Sequence, residues 1–511
     1  MTRTLRFPAA ALALLCAAPP LARADAGDLR DLHLPLLPRT AAEAARIAAV
    51  TAPARDFSAP ERFEAKPAGA ATVRARPTAD AFSDPSANIG LEGRMTFNLG
   101  NGLFTKAWVS APSSTKASDG LGPLFNARAC QLCHLKDGRG LPPATPDEDA
   151  IGLFLRLSVP GGPAPETALI PDWIATNPDP VYGGQLQNFS LAGIPAEGRM
   201  RIETTEIPLT FPDGEAIILH APSYALADPG YGMPAPDLML SPRVAQQMIG
   251  LGLLEAIPAA EILAHADPDD ADGDGVSGRA NIVVSARYGA PMLGRFGHKA
   301  GQPTIEEQSA GAFSGDMGLS TPLHPSGHGD CTAGQSACIV AETGADPSDG
   351  LEVSQANLDL VTFYARNLGV PERRGAGDPE VLRGKEVFYS AGCISCHVPK
   401  YVTGRIEGKV AQSFQLIWPY TDLLLHDMGE GLADHRPEGR ATGAEWRTAP
   451  LWGIGLTAQV SGRESYLHDG RATSLIEAVM WHGGEAQAAR DAVYHLPKED
   501  RDALVRFLGS L

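Results

Sequence analysis

The sequence predicts a mainly α-helical protein built from two domains of the same plan. A short cysteine–histidine motif occurs twice, and an amphipathic helix is predicted after each copy, over residues 358–368 and 503–511. The long stretch between the first motif and its helix predicts large loop and β-hairpin insertions in the first domain. The two motifs are Cys130-Gln-Leu-Cys133-His134 and Cys393-Ile-Ser-Cys396-His397.

The length, composition and net charge of the chain limit its domain number and the partners that it can bind. The chain has 511 residues, of which 44% are hydrophobic, enough for two or more cores. Its formal net charge is −18, from 42 Lys+Arg and 60 Asp+Glu. This acidic balance argues against nucleic acid or an anionic membrane as a partner. Beyond the N-terminus, the apolar stretches fall short of the ~20 residues that a membrane helix needs, so we expect no stable membrane insertion.

The N-terminus has the pattern of a secretory signal. Arg3 and Arg6 precede an apolar stretch over residues 7–18, and the small residues Ala22 and Ala24 then frame a cleavage site. We therefore expect residues 1–24 to be a signal peptide, cleaved near Ala24, and the mature protein to be periplasmic. Cys16 offers a lipid anchor as the alternative, but the preceding Leu15 is larger than lipoprotein processing prefers.

The first half of the chain begins with an arm and contains a hairpin. Residues 25–89 are rich in Ala and Pro, which predicts an extended arm around the body, with a helix over residues 40–50; a partly disordered lead-in is the alternative. Apolar and polar residues alternate over 200–209 and over 215–224. The turn sequence Pro212-Asp-Gly214 separates the two segments, so they are predicted to pair as a β-hairpin.

Further signals mark one more helix and the domain boundaries. Ser241 and Pro242 resemble an N-cap and first helical residue, which predicts a helix over residues 241–257. A Gly-rich linker follows near residue 370, and Asp378 is placed to cap the helix that leads to Cys393. We expect the first of the two similar domains to cover residues 90–370 and the second to cover residues 376–511.

The spacing Cys-x-x-Cys-His is that of covalent c-type haem attachment. The two thiols bond the haem vinyl groups, and the adjacent His reaches the iron from one face. We therefore predict two covalently bound haem c groups, with His134 and His397 as the proximal iron ligands. The closing helices are typical of class I cytochrome c domains, which gives two such domains. A redox dithiol or half of a zinc site is the alternative for each motif.

Two other features suggest additional chemistry. Cys331 and Cys338 are close enough in sequence for a loop disulfide in an oxidising compartment, and a functional redox pair is the alternative. Asp270, Asp272 and Asp274 match the first half of an EF-hand loop, which predicts a possible calcium site. The bidentate Glu of that loop is replaced by Asn281, so a solvated acidic turn is the alternative.

Several longer segments resemble a known family. The chain is similar to the exported di-haem oxidoreductases labelled "thiol oxidoreductase", which are relatives of bacterial di-haem cytochrome c peroxidases and of MauG. The resemblance covers roughly residue 90 to the end. It rests on the sequences Gly122-Pro-Leu-Phe-Asn126, Asp137-Gly-Arg-Gly140, Pro419-Tyr-Thr-Asp-Leu-Leu-Leu-His-Asp-Met-Gly429, Glu445-Trp-Arg-Thr-Ala-Pro-Leu-Trp-Gly453 and Tyr466-Leu-His-Asp-Gly-Arg471.

The resemblance implies a sixth ligand for the second haem. In the peroxidases a His-Asp-Gly turn precedes the helix that carries this ligand, and here His468 opens such a turn. Matching the helix that follows puts His482 at the ligand position. Met480 is the competitor, but it lies two residues earlier, which is about 200° around the helix. We therefore expect a low-spin His397/His482 haem suited to electron transfer, at a lower potential than a His/Met haem.

The resemblance also implies that the first haem is the reactive one. The family's distal pocket matches Gln308 and Asp316 here, which makes Asp316 the candidate acid/base and Gln308 its polar neighbour. Asp replaces the family's Glu, the segment is two residues shorter, and Ala312 stands where Pro is frequent. An ordinary loop carboxylate is the alternative for Asp316. His298 is the first candidate for a sixth ligand that would close the first haem, and His324, His328 and His426 are weaker ones. Trp446 and Phe296 are candidate inter-haem residues, and Arg471 is a candidate propionate partner, with ordinary structural roles as the alternatives.

Three functions follow from these expectations. The first is a peroxidase-like oxidoreductase in which electrons enter at the C-terminal haem and react at the N-terminal haem with peroxide or another oxidisable substrate. The second is an electron carrier with both irons six-coordinate. The third takes the thiol label literally and relies on Cys331 and Cys338. Removal of the signal peptide changes the net charge to 39 − 60 = −21. That charge predicts a small redox protein, or another electron donor, docking through a basic face.

Overall fold

The computed structural model describes residues 29–115, 117–145, 148–162 and 164–511. The predicted signal peptide, residues 1–24, lies outside these residues. In the described part of the chain, every helix is too short or too polar to cross a lipid bilayer.

Thirteen helices are found among the described residues. In chain order, α1 to α13 are Ala41–Thr51, Gly90–Phe104, Cys130–Cys133, Leu251–Glu255, Ala259–Leu263, Ile305–Met317, Ser336–Ile339, Gln355–Arg366, Pro379–Ser390, Thr457–Ser461, Leu475–Met480, Gln487–Tyr494 and Lys498–Ser510. The helices predicted over residues 40–50, 358–368 and 503–511 are confirmed as α1, α8 and α13.

Fifteen short strands accompany them in the same part of the chain. In chain order, β1 to β15 are Leu36–Leu37, Leu124–Phe125, Leu153–Pro160, Thr176–Asn177, Phe189–Ser190, Arg199–Thr210, Ala216–Ala227, Met239–Val244, Ile282–Val284, Pro291–Leu293, Tyr401–Val402, Arg405–Ile406, Leu416–Ile417, Leu425–Asp427 and Glu445–Arg447. They form sheets of two strands, apart from the three-stranded sheet β4-β3-β8.

The prediction of a mainly α-helical fold of two class I cytochrome c-like domains is wrong. The described part of the chain is 28% helical and 17% strand, with many small sheets. One cause is the segment predicted as a helix over residues 241–257. Ser241 and Pro242 belong instead to β8, which pairs antiparallel with β3, and the helix α4 begins only at Leu251. Pairing with a distant strand overrides the local capping signal. The many Gly and Pro residues, 55 and 43, also keep the helices short.

The predicted hairpin is confirmed as β6 and β7. The two 12-residue strands pair from Arg199↔Ala227 to Thr210↔Ala216 around the turn. Its tip contacts the end of the chain, because Phe211 packs into the same apolar cluster as Phe507. The Arg501 guanidinium donates to Asp213 at 2.6 Å and to Glu215 at 2.7 Å. The insertion in the first half therefore completes the core of the second half.

Two helix pairs repeat along the chain. Helix α2 crosses α8 where Gly100 lies against the backbone of Leu360, and α9 crosses α13 where Gly384 lies against the backbone of Ala503. A Cβ at either glycine would overlap the facing carbonyl oxygen, so only glycine permits so close a crossing. In each pair, one helix precedes a cysteine motif and the other follows it.

A second repeat is a bridged turn followed by a capped helix. In the first copy, Phe296 forms an antiparallel β-bridge with Gln302, and the Thr304 side chain caps the helix α6. In the second copy, Tyr466 forms an antiparallel β-bridge with Ala472, and the Ser474 side chain caps α11 in the same way. The same number of residues separates Phe296 from Tyr466, Gln302 from Ala472 and Thr304 from Ser474. Positions in α6 and α11 can therefore be compared one by one.

The N-terminal arm is attached to the body by buried charges. Asp31 accepts from Arg295 at 2.6 Å, with both side chains nearly inaccessible. Glu64 accepts from Lys385 at 2.9 Å and is also paired with Arg373. Strand β1 of the arm pairs with β12. Such buried pairs are costly to break, because the remaining charge would be left without a partner.

Candidate haem sites

Both motif histidines are held in the same way. The Nδ1 of His134 donates to the Gln246 carbonyl at 2.7 Å, and the Nδ1 of His397 donates to the Tyr420 carbonyl at 2.9 Å. Each ring also has a Phe at 6.2 Å between ring centroids, Phe104 for His134 and Phe388 for His397. A backbone acceptor at Nδ1 fixes the ring and leaves the Nε2 lone pair available to a metal.

The surroundings of these histidines fit a haem. His134, His397 and the predicted sixth ligand His482 are each partly accessible, yet desolvation by burial lowers the pKa of all three, that of His397 to about 4. Desolvation thus favours the neutral imidazole, which is the form that binds iron.

The motif cysteines are in surroundings that favour the neutral thiol. Burial raises the pKa of Cys130 and of Cys393 to about 12 and raises those of Cys133 and Cys396. A structural zinc site needs four ligands. Among the described residues, the group of three or more potential metal ligands that lie together is acidic and lies elsewhere. The geometry therefore fits thioether attachment better than half of a zinc site.

His482 lies near His397. Its Nδ1 donates to the Ala478 carbonyl one helical turn back at 2.7 Å, which again leaves Nε2 available. Burial lowers the pKa of His397, and positive charge on His482 lowers it further, so His482 lies within electrostatic range of His397. The competitor Met480 is 2% exposed and packs in the apolar core around Phe507. The structure thus places His482 in the neighbourhood of His397, while Met480 is buried in the apolar cluster that also holds Cys393 and Phe388.

Asp316 lies at the first motif. Its negative charge acts on Cys130, Cys133 and His134, so the carboxylate is near all three. Burial raises the pKa of Asp316, while a nearby guanidinium, that of Arg156, opposes the shift. The raised pKa brings the carboxyl closer to the range in which it can both accept and return a proton.

The polar neighbour of Asp316 is Gln185, where Gln308 was expected. Gln185 Nε2 donates to Asp316 Oδ1 at 2.9 Å, and Gln185 is fully buried. Gln308 lies eight residues earlier on α6, which places it about 12 Å away along the helix axis. Sequence reasoning missed Gln185 and Arg156, because both come from a strand and loop with no motif of their own.

The other candidate iron ligands have protein partners. His298 Nε2 donates to the Val244 carbonyl at 2.8 Å, and its Nδ1 accepts from Gln246 Nε2 at 3.0 Å. His426 lies between Asp422 and Glu485, each at 2.8 Å. The two carboxylates raise its pKa, so this ring is a cation rather than a ligand. His328 Nε2 donates to a backbone carbonyl at 3.1 Å, and His324 is half-buried in a loop.

The remaining candidates also have structural roles. Trp446 stacks on His468 with 3.8 Å between ring centroids, and Lys299 lies 4.3 Å from the indole centroid. Phe296 belongs to a large apolar core. Arg471 is paired with Asp469 at 2.8 Å within its own turn.

Two other guanidiniums are better placed to meet an acidic cofactor. Burial lowers the pKa of Arg139 and of Arg447 to about 10. Within the described chain, their hydrogen bonds go to neutral oxygens: those of Arg447 to Gly297, Thr448 and Gln246 at 2.9 to 3.2 Å, and that of Arg139 to Leu467. Buried cations normally have an anionic partner. The carboxylates of a haem would provide one, so these residues also fit the cofactor.

The acidic turn differs from the sequence expectation. Carboxylate oxygens of Asp267, Asp270 and Asp272 lie within 4.8 Å of one another. Asp274 is not in this group and instead accepts from the Val276 backbone at 2.8 Å. Asp267 joins the cluster although it precedes the EF-hand pattern. The cysteines Cys331 and Cys338 form a disulfide.

Comparison with known proteins extends these findings. Residues 63–511 match the model of a family described as "Di-haem oxidoreductase, putative peroxidase". Among curated proteins, none is similar enough to count as a match. The matched region includes both cysteine motifs, the repeated turns and both helix pairs. The chain therefore belongs to the di-haem oxidoreductase family.

Proposed function

We propose that the protein is a periplasmic peroxidase-like enzyme in which electrons enter at the C-terminal haem and are used at the N-terminal haem. The family supports an oxidoreductase with haem cofactors. The division of labour between the two sites is the further step, and it follows from how differently their helices α6 and α11 are built.

One observation carries the proposal. The interval that relates Phe296 to Tyr466, and Thr304 to Ser474, also relates Ala312 to His482. Ala312 lies inside α6, and the position that corresponds to it in the second half is His482, two residues beyond the end of α11. An alanine cannot ligate iron, so a haem held by His134 would find no sixth ligand at this position, whereas a haem held by His397 would find His482.

The chain's own residues suit these roles. Cys130 and Cys133, with His134, would hold the first haem; Cys393 and Cys396, with His397 and His482, would hold the second. The guanidiniums of Arg139 and Arg447 would form ion pairs with the carboxylates of the haems. The bound haems supply the redox chemistry and the iron that binds a small ligand.

Asp316 is the proposed proton carrier. It lies one helical turn beyond Ala312, so the two side chains share a face of α6. Its carboxylate can take a proton from the peroxide oxygen that binds, and then return that proton to the oxygen that leaves. The hydrogen bond from Gln185 holds the carboxylate in place.

Electrons must come from a partner. An acidic protein of this kind favours a small redox protein with a basic face, and such docking weakens as salt increases. Reduction of peroxide in this way requires one electron from each haem or two in succession from the donor.

The deciding experiment uses electron paramagnetic resonance and visible spectra of the holoprotein, fully ferric and then half-reduced. We expect one low-spin haem in both states and a high-spin signal, lost on adding cyanide, in at least one. Two low-spin haems that ignore cyanide and peroxide would overturn the proposal and leave an electron carrier. His298 would then have to leave both of its present partners to bind the first iron.

A further inference from the structure

Arg156 and Gln185 are brought side by side by a strand contact. Arg156 lies in β3 and forms a β-bridge with Gln185. Residues directly opposite each other in such a bridge extend their side chains to the same side. The Gln185 side chain reaches Asp316, so the Arg156 side chain leaves its strand in the same direction. Its neighbours Leu155 and Leu157 point the other way, into a buried core.

The Arg156 guanidinium adjoins the turn of α6 that carries Asp316. A Cβ built on Gly315 would lie 4.0 Å from Arg156 Nη1, at ordinary contact distance. The positive charge of Arg156 lowers the pKa of Asp316 and of Asp330, against the effect of burial. The guanidinium and the Asp316 carboxylate therefore act on the same small region.

Two other carboxylates, those of Glu438 and Asp330, also lie near Arg156. Glu438 also lies in its field, but this carboxylate takes hydrogen bonds or ion-pair contacts from Arg243 and Arg436, each at 2.9 Å. Asp330 accepts from the Gly184 backbone at 2.6 Å. Both of these carboxylates have other partners, whereas Asp316 shares its region with the open position beside Ala312.

We propose that Arg156 makes the first haem site an anion-binding site, in which the guanidinium binds the deprotonated form of a small acidic ligand such as peroxide. The step transfers one proton and no electrons: HOOH gives its proton to the Asp316 carboxylate, which becomes a carboxylic acid, and leaves HOO⁻ beside Arg156. The guanidinium stabilises the product anion and donates hydrogen bonds to it. This inference rests on the proposed function, since it needs an open iron in the first site.

The test measures azide binding to the ferric holoprotein by visible absorption. Azide is already an anion near neutral pH, so its affinity reports on the charge of the site without proton transfer. For Arg156→Met, we expect the dissociation constant to rise about tenfold or more, the size of a lost hydrogen bond to a charged group. Arg156→Lys should recover part of the affinity, because it restores the charge without the planar fork.

Asp316→Asn should act in the opposite direction and tighten azide binding, since a repelling carboxylate is removed. Arg201→Met is the matched control: this arginine is largely exposed on the hairpin, paired with Glu203, and its loss should leave azide affinity unchanged. Unaltered low-spin spectra of the second haem would verify that each variant is folded and loaded.

The outcomes separate the two proposals. If the wild-type protein fails to bind azide in the ferric and half-reduced states, the open iron is absent and the proposed function fails. If the wild type binds azide and Arg156→Met binds it equally well, the anion site is wrong while the proposed function stands. A weakening in Arg201→Met as large as in Arg156→Met would also overturn it, since a general charge effect would then suffice.

Discussion

Glu307 and Glu477 occupy equivalent places in the two repeats, each three residues after the capping residue of its helix. Each is almost fully buried, at 2% and 1% exposure, and each backbone N–H donates to the capping hydroxyl. The carboxylate of Glu307 accepts from the Ala286 backbone at 2.7 Å, and that of Glu477 accepts from the His220 backbone at 2.8 Å. This shared anchoring fixes the rotation of α6 and α11, which is why Ala312 can be compared with His482.

Ala312→His should close the first iron. If the repeat is equivalent, the new imidazole reaches the position that His482 has in the second site. We expect the high-spin signal of the first haem to disappear and cyanide binding to be lost, as measured by electron paramagnetic resonance and absorption. Ser314→His is the control, because residue 314 lies about 200° around α6 from Ala312. Cyanide binding retained in Ala312→His would show that the repeats orient their helices differently.

His482→Ala should open the second iron. Loss of the imidazole leaves one axial position free, so a second high-spin signal should appear while the first haem is unchanged. Met480→Leu, a core substitution of similar volume, should keep the low-spin signal and lose at most about 1.5 kcal/mol of stability. A low-spin signal that survives in His482→Ala and vanishes in Met480→Leu would make Met480 the ligand.

Asp316→Asn should remove a pH dependence. Only the carboxylate form accepts a proton from peroxide, so the rate of the wild-type reaction should rise with pH through the pKa of Asp316. Burial raises this pKa above its ordinary value, so the rise should occur at higher pH than for an exposed aspartate. In Asp316→Asn the rate should be lower, by about 10²-fold or more, and flat over the same range. Stopped-flow mixing with peroxide measures both, and an unchanged profile would exclude this carboxylate.

The acidic turn predicts which carboxylates matter if calcium binds. Asp267→Asn and Asp270→Asn should each weaken calcium binding measured by isothermal titration calorimetry, because both belong to the three-carboxylate cluster. Asp274→Asn should have a smaller effect, since Asp274 caps its own turn. If Asp274→Asn weakened calcium binding more than Asp267→Asn, the EF-hand pattern would be favoured over the observed cluster. No heat signal in the wild type would make the segment a solvated turn.

Replacing Cys331 and Cys338 together by Ser should leave peroxide turnover unchanged. The two residues form a disulfide, so neither is a free thiol. The expected loss is one of stability, about 2–4 kcal/mol for a typical disulfide and less for a loop as short as this one. Denaturant unfolding and turnover can be measured on the same preparation. If turnover were abolished in a folded, haem-loaded variant, the result would support a reaction that uses Cys331 and Cys338.

Local signals in the sequence predicted the parts of the site that are local. The two motifs, the hairpin around Asp213 and the helices α1, α8 and α13 depend on a few neighbouring residues. Ser241 shows the limit of this reasoning, because its capping pattern was overridden by strand pairing. Gln185 and Arg156 reach Asp316 through a bridge between segments far from α6, and spacing carries no information about such contacts.

The β6–β7 hairpin makes the two halves interdependent. A fragment covering only residues 376–511 would lack Phe211 and Leu219, which fill its core, and Arg501 would lose both acidic partners. The same hairpin supplies the backbone N–H that anchors Glu477, and Glu477 lies on the helix that leads to His482. Removing an insertion that belongs to one haem site should therefore loosen the ligand of the other. The molecule is better described as a single cooperative unit with two cofactors than as two cytochromes joined by a linker.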